Sequence, residues 1–230
     1  MDGSRWRGTA MLLLVPATAV GLIGCSHSAS HPSGTTTTGA APFSAAKLRG
    51  ALLTKVNGIR AAEPAATGSY ASLTAASPAG HLSSGVRVTP KACASYQPDG
   101  FNAAAIAGAP AAAITFRVGH NGVSEMLIAV SAAPSALAGR VPARCARYAE
   151  TIDGKTFRYT VRESSVKGIG AEAHALNVRS TGGTANDMWS LVYRGPGFVG
   201  SITVIGPGAS ERAVKNLGKR AYAVAAKTLA

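Results

Sequence analysis

From residue 44 onward, apolar positions recur with two periods, and the switches between them outline the elements. Ser44 suits an N-cap, and Leu48, Leu52, Val56 and Ile59 share one helical face. Asn57-Gly58 marks the expected end of that helix. Residues 61–85 are Ala, Ser, Gly and Pro without period and read as irregular. Strands follow. Ile114, Phe116 and Val118 alternate with Thr115 and Arg117, and Met126 to Val130 is a continuous apolar run that predicts a central strand. Ser135 to Tyr148 reads as a helix interrupted by Pro142. Phe157, Tyr159 and Val161 then alternate with Thr156, Arg158, Thr160 and Arg162. Leu176 and Val178 alternate with Asn177 and Arg179. Trp189, Leu191 and Tyr193 run into the turn Gly195-Pro196-Gly197, and Val199 to Ile205 returns as the hairpin partner. After Gly206-Pro207-Gly208, Ser210 caps a closing helix from Glu211 to about Leu229. Val214, Leu217, Ala221, Val224 and Thr228 form its stripe.

This order predicts an α+β domain: a mostly antiparallel sheet of five to six strands, with helices packed on one face and one disulfide. The other face would be wet. The domain spans residues 43–230, and no internal repeat is visible.

The N-terminus changes the picture. Arg5 and Arg7 precede an uncharged stretch with a Met-Leu-Leu-Leu-Val core, as in a secretory signal. Leu22-Ile23-Gly24-Cys25 resembles the bacterial lipobox, whose cysteine is acylated before cleavage. That resemblance implies a signal peptide over residues 1–24 and a lipid on Cys25. Two acyl chains anchor stably. Residues 25–42 then form a Ser/Thr-rich linker with no period, similar to O-glycosylated stalks. No later segment is apolar enough to span a membrane, so the expectation is a protein on the extracytoplasmic face of the cell membrane. In an oxidising compartment the two remaining cysteines, Cys93 and Cys145, are expected to pair.

Candidate chemistry is thin. Gly168-Ile169-Gly170-Ala171-Glu172-Ala173 matches a dinucleotide fingerprint in letters, but a strand-like segment follows it, so it reads as a turn. Gly206-Pro207-Gly208 precedes a helix with too little chain after it to complete a βαβ unit. His120 falls in a hairpin turn, His27 and His31 in the linker, and no metal-ligand spacing occurs in the domain. No cofactor and no metal are therefore expected. An enzyme of the cell wall would need at least two of His81, His120, His174, Asp99, Glu125, Asp153 and Asp187 to converge.

Charge is the stronger signal. There are 23 Lys+Arg against 10 Asp+Glu, a net charge of +13. Arg117, Arg158, Arg162 and Arg179 each lie opposite the apolar positions of their strands. With Arg140, Arg144 and Arg147 they would give one basic surface. Arginine pairs bidentately with phosphate and carboxylate. Nucleic acid is excluded by the compartment and by the scarcity of aromatics for stacking.

The lipobox, the linker and this order of elements resemble an uncharacterised domain family of mycobacterial and related actinobacterial lipoproteins. Its marks here are Gly58-Ile59, Thr89-Pro90-Lys91-Ala92-Cys93, Val141-Pro142-Ala143-Arg144-Cys145, Gly168-Ile169-Gly170-Ala171 and the closing amphipathic helix, over about residues 44–230. In plan the chain is also similar to the extracytoplasmic sensor domain of a mycobacterial Ser/Thr kinase. These resemblances supply no catalytic residues. Taken with the charge and the thin candidate chemistry, the expectation is a non-enzymatic, lipid-anchored module that binds or senses anionic lipid, a cell-wall polymer or a protein partner. A lipid or glycolipid carrier and a cell-wall hydrolase are the alternatives.

Overall fold

The computed structural model describes residues 41–75, 86–94, 100–131, 136–137, 140–152, 154–181 and 187–230. The elements are α1 (Ala45–Gly50), β1 (Lys55–Val56), β2 (Ile59–Arg60), β3 (Ala66–Ser69), α2 (Tyr70–Ala75), β4 (Arg87–Thr89), α3 (Ala103–Ile106), β5 (Pro110–Val118) and β6 (Asn121–Ala129). Then come β7 (Arg147–Ile152), β8 (Lys155–Ser165), β9 (Glu172–Thr181), β10 (Asp187–Gly195), β11 (Phe198–Ile205) and α4 (Glu211–Leu229). Short 3-10 turns hold Lys91–Cys93 and Ala143–Cys145.

One antiparallel sheet of nine strands runs β3-β5-β6-β11-β10-β9-β8-β7-β4. It exceeds the five to six strands that the pattern predicts. The additions are β3, β7 and β4, short strands with too few alternations to announce themselves.

Helices lie on both faces, not one. On the first face α1 packs over β3, β5 and β6, and α4 over β10, β11 and β9. Phe116, Leu127, Leu191, Tyr193, Phe198 and Ile202 form the core beneath them. On the second face α2 and α3 lie near Tyr70, Phe101, Ile106, Ile128, Val192 and Val199. Central strands apolar on both sides need two covers: Leu191, Val192 and Tyr193 are successive and all buried.

Three local readings change. The first helix stops at Gly50, and Asn57-Gly58, both with positive φ (49° and 81°), turns the small β1–β2 hairpin. Asn-Gly is the preferred pair for such a turn. Residues 66–75, read as irregular, hold β3 and α2. The segment ending in Tyr148 is no helix where it is described. Cys145 ends a 3-10 turn and Arg147 opens a strand.

The closing helix stands as expected, with Ser210 accepting from the Ala213 amide. Its buried stripe is Val214, Leu217, Gly218, Ala221, Ala225 and Leu229, while Val224 is exposed. Gly218 lets the helix settle onto Leu191, where a Cβ would come within 2.7 Å of that side chain. Cys93 and Cys145 are bonded (S–S 2.01 Å) and sit on the second face with Tyr148, Val161 and Val178. No helix among the described residues is long and apolar enough to cross a membrane.

An arginine-bearing sheet face as candidate functional site

In an antiparallel sheet, residues directly opposite one another share a face, and alternate residues along a strand return to it. On β8, Tyr159 and Val161 point to the second face, where they pack with the disulfide cluster. Arg158, Thr160 and Arg162 therefore point to the first. Register extends the row: Thr160 lies opposite Arg147 on β7 and Arg179 on β9. Arg158 lies opposite Ala149 and Thr181, Arg162 opposite Asn177, and Arg87 opposite Thr151. Thus Arg87, Arg147, Arg158, Arg162 and Arg179 share the first face of β4, β7, β8 and β9, and all five are exposed. The floor between them is Thr151, Thr156, Thr160, Thr181 and Ala149. Among the described residues helix α4 makes its main sheet contacts with β10, β11 and β9, and it reaches β8 where Glu211 accepts from Ser164 Oγ, so the five arginines stay exposed beside it.

The acids of these strands go the other way. Glu150 on β7, Glu163 on β8 and Glu172 on β9 occupy the second face. On the first face the acids among the described residues are the buried Glu125, Glu211 of α4, which accepts from Ser164 Oγ on β8 at 3.1 Å, and Asp187 at the start of β10; of these, Asp187 pairs with one of the five arginines. It takes Arg179 bidentately, Nε to Oδ1 at 2.8 Å and Nη2 to Oδ2 at 3.2 Å. That hydrogen bonding holds the Asp187 carboxyl below its ordinary value. Among the described residues no carboxylate pairs with Arg87, Arg147, Arg158 or Arg162.

Arg117 does not belong to this surface. On β5 the buried residue is Phe116, which faces α1 and α4, so Arg117 points to the second face. It also stands five strand spacings from β8, about 24 Å across the sheet. Each arginine does oppose the apolar positions of its own strand. The apolar positions themselves change face between β5 and β8. Arg147, expected on a helix, joins the site from a strand. Arg87, Thr160 and Asp187 were not foreseen. The signal that could have found β7 is Asp153-Gly154, a favoured hairpin pair, just before the alternating run of β8. Cys25 lies outside the described residues.

Of the residues an enzyme would need to bring together, His81, Asp99 and Asp153 lie outside the described residues. The other four do not form a unit: no hydrogen bond or ion pair joins any two of His120, Glu125, His174 and Asp187. His174 sits on the second face between two carboxylates, Nδ1 at 3.1 Å from Glu163 Oε1 and Nε2 at 2.9 Å from Glu172 Oε1. Both ring nitrogens thus have a carboxylate partner. The His174 hydrogen bond is the main cause that lowers the Glu172 carboxyl. Glu163 Oε2 also accepts the Val141 amide at 2.9 Å, tying the chain before the disulfide to β8.

Glu125 is a core residue, 1% exposed beneath α1. Its Oε2 accepts the Leu53 amide at 2.8 Å, while Oε1 and the buried Tyr193 hydroxyl lack partners among the described residues. Burial pushes the Glu125 carboxyl up to about 7. Gly168 and Gly170 do form a turn, with β9 directly after it, as the turn reading requires. Among the described residues no group of three His, Cys, Asp or Glu is placed to hold a metal ion.

No family model matches the sequence, and no curated protein matches it. Solved structures do resemble it, two of them as follows. The extracellular domain of PknH from Mycobacterium tuberculosis superposes with a TM-score of 0.52 at 13% identity, covering 83% of this chain and 98% of that one. An uncharacterised protein from Mycobacterium smegmatis, the Rv0999 ortholog, gives a TM-score of 0.42 at 18% identity, covering 62% of this chain and 77% of that one. The chain therefore shares its fold with that extracellular domain: a large antiparallel sheet flanked by a few helices.

Proposed function

We propose that the protein is a non-enzymatic, lipid-anchored module on the extracytoplasmic face of the cell membrane, and that it binds or senses anionic envelope material through the exposed arginine face of β4, β7, β8 and β9. The observation that carries this reading is the sorting of charge. Five arginines stand on one face of these strands while Glu150, Glu163 and Glu172 stand on the other. Solubility alone calls for charges of both signs interspersed. A predominantly positive field over an exposed, hydroxyl-lined surface instead attracts and orients anions.

Likeness to an extracellular domain supports the compartment, and the disulfide is at home there. Cys25 supplies the tether, and the residues after it supply reach. Anionic lipid and acidic wall polymer are the ligand classes that this surface suits. The test is co-sedimentation of the Cys25→Ala protein, which carries no acyl chain, with vesicles of anionic or zwitterionic lipid at physiological salt. Retention on anionic vesicles only, lost in an Arg147→Gln/Arg158→Gln/Arg162→Gln variant, is the expected result. Equal retention by parent and variant would sink the reading.

A further inference from the structure

Around Thr160 the register builds a cross of four arginines. Arg147 and Arg179 stand directly opposite it on the neighbouring strands, one spacing to either side. Arg158 and Arg162 stand two residues before and after it on β8. Each arginine across the sheet is therefore a diagonal neighbour of each arginine along it, about 7–8 Å away, within reach of long side chains. Arg87 shares the face but lies outside the cross, opposite Thr151.

Such crowding of one sign opposes folding unless a counter-charge is present. The protein supplies one at a single corner, where Asp187 grips Arg179. The other three guanidiniums have no carboxylate among the described residues. Each guanidinium offers a planar fork of N–H donors, and Thr160 adds a hydroxyl at the centre. A carboxylate, with two oxygens in one plane, matches one fork. A phosphate monoester, with three terminal oxygens arranged tetrahedrally, can meet forks from three directions.

We propose that the Arg147–Arg158–Arg162–Arg179 cross around Thr160 is a binding site for a phosphate monoester group. This rests on the reading of the arginine face given above and makes its ligand specific. Asp187 is a positioning residue: it fixes Arg179 and competes with the ligand for that guanidinium. Ligand bound to the fold alone also raises its stability.

The experiment titrates the full chain carrying Cys25→Ala, which has no acyl chain to insert into vesicles, at fixed ionic strength with inorganic phosphate, with vesicles containing phosphatidic acid (a monoester) and with vesicles containing phosphatidylglycerol (a diester). Thermal shift reads the first and co-sedimentation the others. The expected result is preference for the monoester over the diester. Arg158→Gln or Arg162→Gln should weaken binding about tenfold or more, as losing a charged hydrogen-bond partner does. Thr160→Val should weaken it with no change of charge. Arg87→Gln should weaken it less than Arg162→Gln does, and Arg117→Gln on the other face should change it little. Asp187→Asn should tighten binding more than Glu63→Gln, which makes the same change of net charge on a distant loop.

Saturable binding of inorganic phosphate assigns the group to soluble or polymer-borne monoesters. Binding of phosphatidic acid vesicles alone assigns it to a lipid headgroup. Either supports the site. Equal losses from Arg87→Gln and Arg162→Gln, or equal binding of the two lipids, would overturn it while leaving the anionic face intact. Binding of no anion at all would remove both readings.

Discussion

Glu125 gives the fold a dependence on pH that can be worked out in advance. The carboxyl is 1% exposed, accepts one amide hydrogen bond from Leu53 and titrates at about 7, against 4.5 for an ordinary glutamate. Between those two values the folded chain holds a proton there that the unfolded chain has released. The stability contributed by the neutral carboxyl is therefore complete below pH 4.5 and is lost as pH rises through 7. At roughly 1.36 kcal/mol per pH unit, the loss across this window is about 3 kcal/mol. Glu125→Gln keeps an oxygen for the Leu53 amide and cannot ionise. Urea unfolding of parent and variant at pH 5, 6, 7 and 8.5 reads the difference. The variant should match or fall slightly below the parent at pH 5 and exceed it by about 2–3 kcal/mol at pH 8.5. A gap between the two that stays constant from pH 5 to 8.5 would refute the reasoning.

Asp187, Glu172 and Glu211 are shifted the other way, each held low chiefly by its hydrogen-bond partner: Arg179, His174 and Lys215 respectively. Their contributions are present above the ordinary carboxylate range and fade as pH falls through their lowered values. Together with Glu125 they place the stability maximum at mildly acidic pH. A thermal midpoint that climbs steadily from pH 5 to pH 8 would contradict this. Removing the disulfide with Cys93→Ser/Cys145→Ser releases a crosslink of sequence separation 52, and should cost about 4 kcal/mol in the chain-entropy model, read by denaturant midpoint. Gly200→Ala should destabilise by about 1–3 kcal/mol, because a Cβ there collides with the Tyr193 ring packed over it, and an unchanged midpoint would deny that packing. Cys25→Ala should move the protein from the membrane to the soluble fraction of cells, and an unchanged distribution would contradict the lipid anchor.

The sequence carried the strands of the second half well, because β8 to β11 alternate or run apolar over eight or more residues and end in glycine-marked turns. The closing helix was legible for the same reason, down to its Ser210 cap. Short elements were not: β3 offers Ala, Thr, Gly and Ser, with no apolar period to read. Leu48, Leu52 and Val56 are all buried and spaced like a helix face, yet only Leu48 is helical. Burial set that spacing, and the Asn-Gly turn decided the backbone. The arginine site shows the sharper limit. Alternation along one strand tells which residues share its wet side. It does not tell which sheet face that side becomes, since strand order and register are set by tertiary pairing. Arg117 and Arg158 have the same local pattern and lie on opposite faces. The three arginines on β8 and β9 came together because their apolar partners all serve the disulfide cluster.

The account stands or falls on whether that exposed arginine face is covered by anionic material in place. Arginine-selective labelling of intact cells with phenylglyoxal, read by peptide mass spectrometry against the purified protein, tests it directly. The account predicts that Arg147, Arg158 and Arg162 are protected in cells and reactive in the purified protein, while Arg117 reacts equally in both. Equal labelling of the three in both samples, or protection centred on Arg117, would contradict it.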